Sequence, residues 1–397
     1  MILSDRINNL AESATIAMAQ KSRELKNQGQ DIISLSLGEP DFNTPDFIKE
    51  AAKKAIDENY TKYMAVNGYE DLRETICHKL KRDNNLDYKP NQIVVSTGAK
   101  QCIANVALSL LNAGDEVLVP IPYWVSYLEI IKMAEGVPVL VNSTVETDYK
   151  VSAQDLEAHI TDKTKLMVFS TPCNPSGSVF SKEELHDIAK LMERHPKLHV
   201  ICDEIYELIT FGQKHESLAQ FDSIKDRVIT VNGLSKGFAM TGWRLGYLAA
   251  SEEIAKACTK LQGQFTSGTN SITQRAAITA LEADTSVTHE MRDAFQKRRD
   301  FVLEALSKIE GIKCNVPQGA FYVYPDVSAF FGKQTKDGKA IETANDLSMY
   351  LLEEALVATV TGEAFGSPEC IRISYATDDE TLKEAMNRIQ NALDNLK

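Results

Sequence analysis

The chain has 397 residues, 43% of them hydrophobic and 25% charged, with a net charge of −13. That length calls for a large domain plus a smaller one, and the composition is that of an ordinary globular enzyme. The acidic balance argues against a nucleic-acid binder or a polybasic membrane surface, and no apolar run approaches the ~20 residues a bilayer crossing needs.

The run from Met1 to Asn9 has neither a basic start nor an apolar stretch, so no signal peptide is expected. A helix is expected to open with Thr44 as N-cap and Pro45 as its first residue. An apolar stripe of Ile48, Ala51, Ala52, Ala55 and Ile56 follows. From there strand, loop and helix alternate. β-like runs cover Gln92–Ser96, Glu116–Val119, Lys165–Phe169, Leu198–Cys202, Arg227–Val231 and Leu245–Ala249. Their near-continuous apolar character suits strands buried on both faces, which predicts a mostly parallel sheet covered by helices.

Further on, a long helical stretch through Met291, Ala294, Phe295, Val302 and Ala305 leads to a short β region at Ala320–Val323. Gly332–Lys339 reads as an exposed loop. A last helix carries Leu382, Ala385, Met386, Ile389, Ala392, Leu393 and Leu396 on one face. The predicted class is α/β: a large, doubly wound, mainly parallel sheet domain at residues 45–285 and a smaller α+β domain from 1–44 and 286–397. Seven scattered cysteines without a CxxC pair read as free thiols of a cytoplasmic protein, and no metal site is expected.

In an open α/β sheet, ligands bind beyond the carboxyl ends of the strands. Gly98, Ala99 and Lys100 follow the first run. A glycine turn feeding a helix N-terminus can cradle a phosphate on free N–H groups, although an ordinary tight turn has the same composition. After the second run, Trp124 is either a flat surface for a planar cofactor or a core residue. After the third, Asn174 opens Asn-Pro-Ser-Gly177, which sets an amide over the same crevice or makes a plain turn.

Asp203 follows the fourth run and needs a cationic or hydrogen-bonding partner there. A protonated pyridine nitrogen would supply one, and Tyr206 could reach that ring's phenolate oxygen; a helix N-cap is the plainer role for Asp203. After the fifth run come Lys236, between Gly233 and Gly237, and Arg244, between Gly242 and Gly246. An amine for a Schiff base and a guanidinium for a phosphate suit a phosphorylated aldehyde, to which all five clusters are then suited.

With these residues in place the chain resembles the class-I aminotransferases of the aspartate aminotransferase family, which have the pyridoxal-phosphate fold type I. The resemblance runs from Leu37–Phe42 to Ile371–Ala376. It is carried by Tyr63 with Gly68, Pro122-Tyr-Trp124, Asn174-Pro-x-Gly177, Asp203 with Tyr206, Ser235-Lys236 and Thr241-Gly-Trp-Arg244. Ser13-Ala-Thr15 and Phe238–Arg244 are similar to the bacterial subgroup that includes prephenate-accepting enzymes.

The resemblance implies pyridoxal 5'-phosphate as cofactor, bound through Lys236 as a Schiff base, with Lys236 also the proton shuttle. It places Asp203 on the ring nitrogen, Asn174 and Tyr206 on the ring oxygen, and Trp124 against the ring face. Gly98, Ala99, Lys100, Ser235 and Arg244 would surround the phosphate. Tyr63 would reach the phosphate of a neighbouring subunit, so a homodimer with shared active sites is implied. Arg372 would fork onto the substrate α-carboxylate, helped by the Gly38 backbone and Asn174. Lys100 and Thr15 would meet a distal carboxylate, unless Lys100 only neutralises the phosphate.

The chain has Gly233 where those family members with a serine three residues before the lysine use it on the phosphate, so one phosphate contact must come from elsewhere or be missing. Arg275 lies on a helix-like run and reads as a solvated residue, not as the partner-subunit arginine that some members use. The implied reaction is a ping-pong transamination from L-aspartate to 2-oxoglutarate. Prephenate, aromatic amino acids and alanine remain alternatives, and a lyase or a cofactor-binding regulator are the rival classes.

Overall fold

The apolar runs do become strands, and their alternation decides which face each side chain covers. The computed structural model describes residues 3–397; Met1 and Ile2, which begin the run read as lacking signal-peptide character, lie outside the described residues. In chain order the strands are β1 (Ile33–Ser34), β2 (Ile93–Ser96), β3 (Glu116–Pro120), β4 (Val137–Val141), β5 (Thr164–Ser170), β6 (His199–Asp203), β7 (Val228–Gly233), β8 (Gly246–Ala249), β9 (Tyr322–Val323), β10 (Val357–Ala358), β11 (Val360–Thr361) and β12 (Ile371–Ser374).

Seven of them form one sheet in the order β2-β8-β7-β6-β5-β3-β4. The pairs β4-β3, β3-β5, β5-β6 and β6-β7 are parallel. β8 alone runs antiparallel to both neighbours. It returns from β7 through residues 234–245 without a crossover helix, and a strand that comes straight back beside its predecessor must reverse direction.

Along β2, Ile93 and Val95 enter one core while Val94 enters the other, and all three are fully buried. The first core is closed by the helices Asp46–Asp57, Glu70–Asn84, Lys182–Arg194 and Ser271–Glu282. The second is closed by Ala99–Leu110, Ser126–Met133 and Glu252–Phe265. Each fully buried valine or leucine contributes about 1.5–3 kcal/mol. A third core gathers the helices His289–Ser307, Ala344–Glu354 and Asp379–Asp394 around β9 and β12. It also takes in Tyr206, Ile209 and Phe211 from the segment after β6.

Three expectations change. β4 was not expected as a strand: it is the sheet edge, with Val137 46% and Leu140 40% exposed, so it lacks the apolar continuity of its neighbours. The first long helix begins at Asp46 with Pro45 as its cap residue, one position later than expected. Thr44 does not cap it; its Oγ1 donates to the Ala239 carbonyl at 2.7 Å and accepts from Trp243 Nε1 at 3.1 Å. Ile56, placed on the apolar stripe, is 54% exposed. Among the described residues no helix is long and apolar enough to cross a membrane.

Candidate active site

A cleft of about 250 Å³ opens at the carboxyl ends of the parallel strands. Thr15, Gly38, Ala99, Lys100, Trp124 and Asn174 line it, together with Asp203, Tyr206, Ser235, Lys236, Arg244 and Arg372. A larger surface hollow of about 550 Å³ lies beside the helices Ala344–Glu354 and Asp379–Asp394 and contains none of these residues.

Lys236 projects from the β7–β8 connection, and its ammonium donates to the Gly38 carbonyl at 2.5 Å. Its nitrogen also lies 5.8 Å from the Tyr206 ring centre. Burial pulls the ammonium down to about 8; Glu39 pushes it up, and Arg372 and Arg244 pull it down further. A lysine amine with that value has an appreciable neutral, nucleophilic fraction at neutral pH. Gly38 has no room for a side chain, because a Cβ there would overlap the Tyr322 hydroxyl.

Asp203 is the last residue of β6 and is 5% exposed. Tyr127 donates its hydroxyl to Oδ2 at 2.9 Å, and the Ile205 N–H donates to Oδ1 at 3.3 Å. Burial still wins over these two donors and raises the carboxyl to about 6. Neither partner is a cation, so the carboxylate is suited to a positive group entering the cleft. It caps no helix, because a turn follows it. Tyr206 points to the same cleft, with its hydroxyl 2.7 Å from that of Tyr322.

Arg372, in β12, is 2% exposed. Nη1 donates to Asn174 Oδ1 at 3.0 Å and Nη2 to the Ser36 carbonyl at 2.6 Å, while Nε has no partner. The guanidinium packs 4.6 Å from the Tyr322 ring centre and 4.9 Å from that of Phe365. Both oxygens it contacts are neutral, so a buried full positive charge stands in the cleft without an anion.

At the other end, Gly98 caps the helix Ala99–Leu110 with φ +86, a left-handed conformation that glycine adopts without strain. A Cβ there would strike the Arg244 guanidinium, so glycine is what lets the arginine lie against the helix N-terminus. Arg244 is itself left-handed (φ 56) and donates from Nη1 to the Thr241 carbonyl at 2.8 Å. Ser235 lines the same end of the connection. Gly233 pairs with Gly246 across β7 and β8, and a Cβ on it would sit 2.9 Å from the Gly246 Cα and the Leu245 carbonyl. The strands are too close there for the serine that some members of the resembling family carry.

Lys100 lies with its nitrogen 5.0 Å from the Trp124 ring centre, and burial, then Arg244, lowers its pKa. Thr15 Oγ1 is buried without a partner. Tyr63 is 97% exposed and absent from the cleft of its own chain. Arg275 does not occupy a solvated face: its side chain is 25% exposed, it pairs with Asp71, and its guanidinium lies 4.7 Å from the Tyr60 ring centre and 5.7 Å from that of Tyr69.

The sequence did not single out Tyr127, Tyr322 or Ser36, although the first two hold Asp203 and Tyr206. Tyr127 lies three residues beyond Trp124 in the helix Ser126–Met133, the one positional hint available.

A family model described as aminotransferase class I and II matches residues 30–389. A probable aspartate/prephenate aminotransferase of Rickettsia felis is 47% identical over 98% of this chain and 96% of its own length. An aspartate aminotransferase of Pinus pinaster is 44% identical over 98% of this chain and 80% of its own. Among solved structures, the aspartate aminotransferase of Rhizobium meliloti superposes with a TM-score of 0.97 at 40% identity, covering 100% of both chains. That of Thermus thermophilus with maleate gives 0.92 at 37%, over 99% of this chain and 100% of that one.

Proposed function

Since the chain belongs to the class I and II aminotransferases and is therefore a transaminase, we propose that it moves the amino group of L-aspartate to 2-oxoglutarate, giving oxaloacetate and L-glutamate. One observation carries this: Lys236, Asp203 and Arg372 share a cleft in which the acid lacks a cation and the guanidinium lacks an anion.

The residues fit pyridoxal 5'-phosphate. Lys236 would take its aldehyde, and Asp203 would hold the proton on the ring nitrogen. Asn174 and Tyr206 would face the ring oxygen, and Trp124 would cover the ring. Gly98, Ala99, Lys100, Ser235 and Arg244 would take the phosphate, on free helix N–H groups and a guanidinium. Such a cofactor supplies an electron sink for charge developing at the substrate Cα. Lys236, with its ammonium pulled to about 8, can accept the Cα proton and return it. Arg372 would fix the α-carboxylate through the edge that now meets Asn174, with the Gly38 backbone alongside.

A distal carboxylate would meet Lys100 and the unpartnered Thr15 hydroxyl. The relative from Thermus thermophilus is solved with maleate, a dicarboxylate, which favours this substrate class. The name of the Rickettsia relative keeps prephenate as the second reading. Tyr63, 97% exposed, would complete the site of a second copy in a homodimer. All seven cysteines are free, which supports a cytoplasmic setting.

Aspartate and 2-oxoglutarate added to purified, cofactor-loaded protein should yield oxaloacetate; release of pyruvate and ammonia without an acceptor would replace the proposal with a lyase. In a donor panel, Lys100→Ala should cost about 10-fold in kcat/KM for aspartate and little for alanine. An equal loss for both would remove Lys100 from specificity.

A further inference from the structure

The turn that carries Asp203 and Tyr206 has a second side. Glu204, fully buried, accepts from Ser217 Oγ at 2.6 Å and meets His215 Nε2 at 3.0 Å. Glu207, 9% exposed, accepts from Asn84 Nδ2 at 3.0 Å and is ion-paired with Lys79, which is 3% exposed. Lys79 and Asn84 both come from the helix Glu70–Asn84, and Asp83 stands 3.9 Å from the lysine. Ligand atoms of Glu204, Glu207 and His215 lie within 4.8 Å of one another, a spacing a metal ion would use. The ammonium of Lys79 is instead the cation on Glu207.

Burial pulls the His215 imidazolium down, but Glu204 and Glu207 push it above its ordinary value. Burial likewise raises Glu207, and Lys79 and His215 bring it below the usual carboxylate range. Glu204 and Glu207 are therefore faced by His215 and Lys79, with Asp83 a third acid beside the lysine. Such a cluster adds little net stability, since desolvating buried charges offsets their attraction. What charged hydrogen bonds add is direction.

We propose that Lys79 and His215 are positioning residues for the transamination, because through Glu207 and Glu204 they fix the turn that aims Asp203 and Tyr206 into the cleft. The proposal rests on the function given above, in which those two residues meet the cofactor ring. The ends of the turn are anchored by the Thr171 N–H on the Asp203 carbonyl at 3.1 Å, the Glu204 N–H on the Val231 carbonyl at 2.8 Å and the Ala320 N–H on the Ile209 carbonyl at 2.9 Å, whereas between them only the Glu207 N–H on the Glu204 carbonyl at 2.9 Å and the Ile209 N–H on the Tyr206 carbonyl at 2.8 Å hold the backbone. Freed at Glu204 and Glu207, the span beyond β6 can roll, carrying Tyr206 and the Ile205 N–H that donates to Asp203, while the Asp203 backbone stays in the sheet. A shift of about 1 Å at a catalytic group costs roughly 10²-fold in rate.

The deciding variant replaces one ion pair by apolar residues of similar length, Lys79→Met with Glu207→Met, in the cofactor-loaded enzyme. We expect an unchanged or higher Tm, a kcat for aspartate and 2-oxoglutarate lowered about 10- to 100-fold, and a shifted pH midpoint of the bound cofactor's visible absorption. The apoprotein should also bind pyridoxal phosphate more weakly. His215→Ala should lower kcat in the same way, and His215→Gln, which keeps a donor for Glu204, should recover most of it. If the Met pair keeps wild-type kcat, absorption midpoint and cofactor affinity, the network is only structural and the inference is overturned. Should wild type itself show neither cofactor absorption nor turnover, the proposed function fails instead.

Discussion

Asp203 and Glu204 are neighbours in sequence, both almost fully buried, and they meet opposite conditions. Glu204 is closed by an imidazole and a hydroxyl, while Asp203 faces only neutral donors and is raised to about 6. The same contrast separates Glu207, paired with Lys79, from Arg372, whose two contacts are neutral oxygens. Buried charge that is balanced holds the chain in place. Buried charge that is left unbalanced is held ready for something that arrives.

That contrast predicts that cleft substitutions remove activity without unfolding the protein, whereas removing one partner of a balanced pair behind the turn costs stability as well. The largest effect belongs to Lys236→Ala, which should abolish turnover and the cofactor's covalent absorption band while apoprotein Tm stays within a few degrees of wild type. Retained turnover would exclude the lysine from the chemistry.

Asp203→Asn should lower kcat by about 10³-fold, because a preorganised charge is lost. It should also stabilise the apoprotein. The carboxyl rises from 3.8 to about 6 on folding, so the folded state binds more protons between those values and loses stability as pH climbs through them. About two pK units correspond to about 3 kcal/mol, which the amide does not lose. Melting curves at pH 4 and pH 7.5 should therefore converge for the variant and diverge for wild type; parallel curves would mean that Asp203 is not strained.

Arg372→Ala should cost about 10²-fold in kcat/KM, with most of it in KM for both substrates. An unaltered KM would move carboxylate binding elsewhere. The smallest effect is expected behind the turn. A histidine whose folded pKa is raised contributes stability that is complete below its unfolded value of 6.5 and is lost as pH rises through the folded one. Wild type should thus lose more stability than His215→Gln as pH rises above 6.5, and equal losses would mean that the imidazole is neutral throughout.

Much of this was legible in the sequence because two-sided burial writes itself as continuous apolar runs, and cleft residues sit at their ends. Edge strand β4 was missed for the same reason: Val137 and Leu140 face solvent, and their run looks like loop. The reversal of β8 leaves no local mark, since its residues are as buried as those of the parallel strands in the same sheet. Tyr127 and Tyr322 look like core tyrosines until their hydroxyl partners are known. Glu204 and Glu207 are ordinary surface letters in the sequence. Their burial depends on Lys79, 128 residues from Glu207, and on a histidine 11 residues past Glu204. Arg275 was misread likewise, because its anion Asp71 lies 204 residues away.

Lys236 and Arg244 share one connection, residues 234–245, strung between adjacent antiparallel strands whose register pairs Gly233 with Gly246. One short span therefore carries the groups suited to both the reactive head and the anionic tail of a bound ligand. Neither grip can be retuned alone: lengthening the span moves the anchor points relative to one another, and side-chain swaps leave that ruler unaltered. A redesign for a longer or bulkier aldehyde would have to begin with an insertion in this segment.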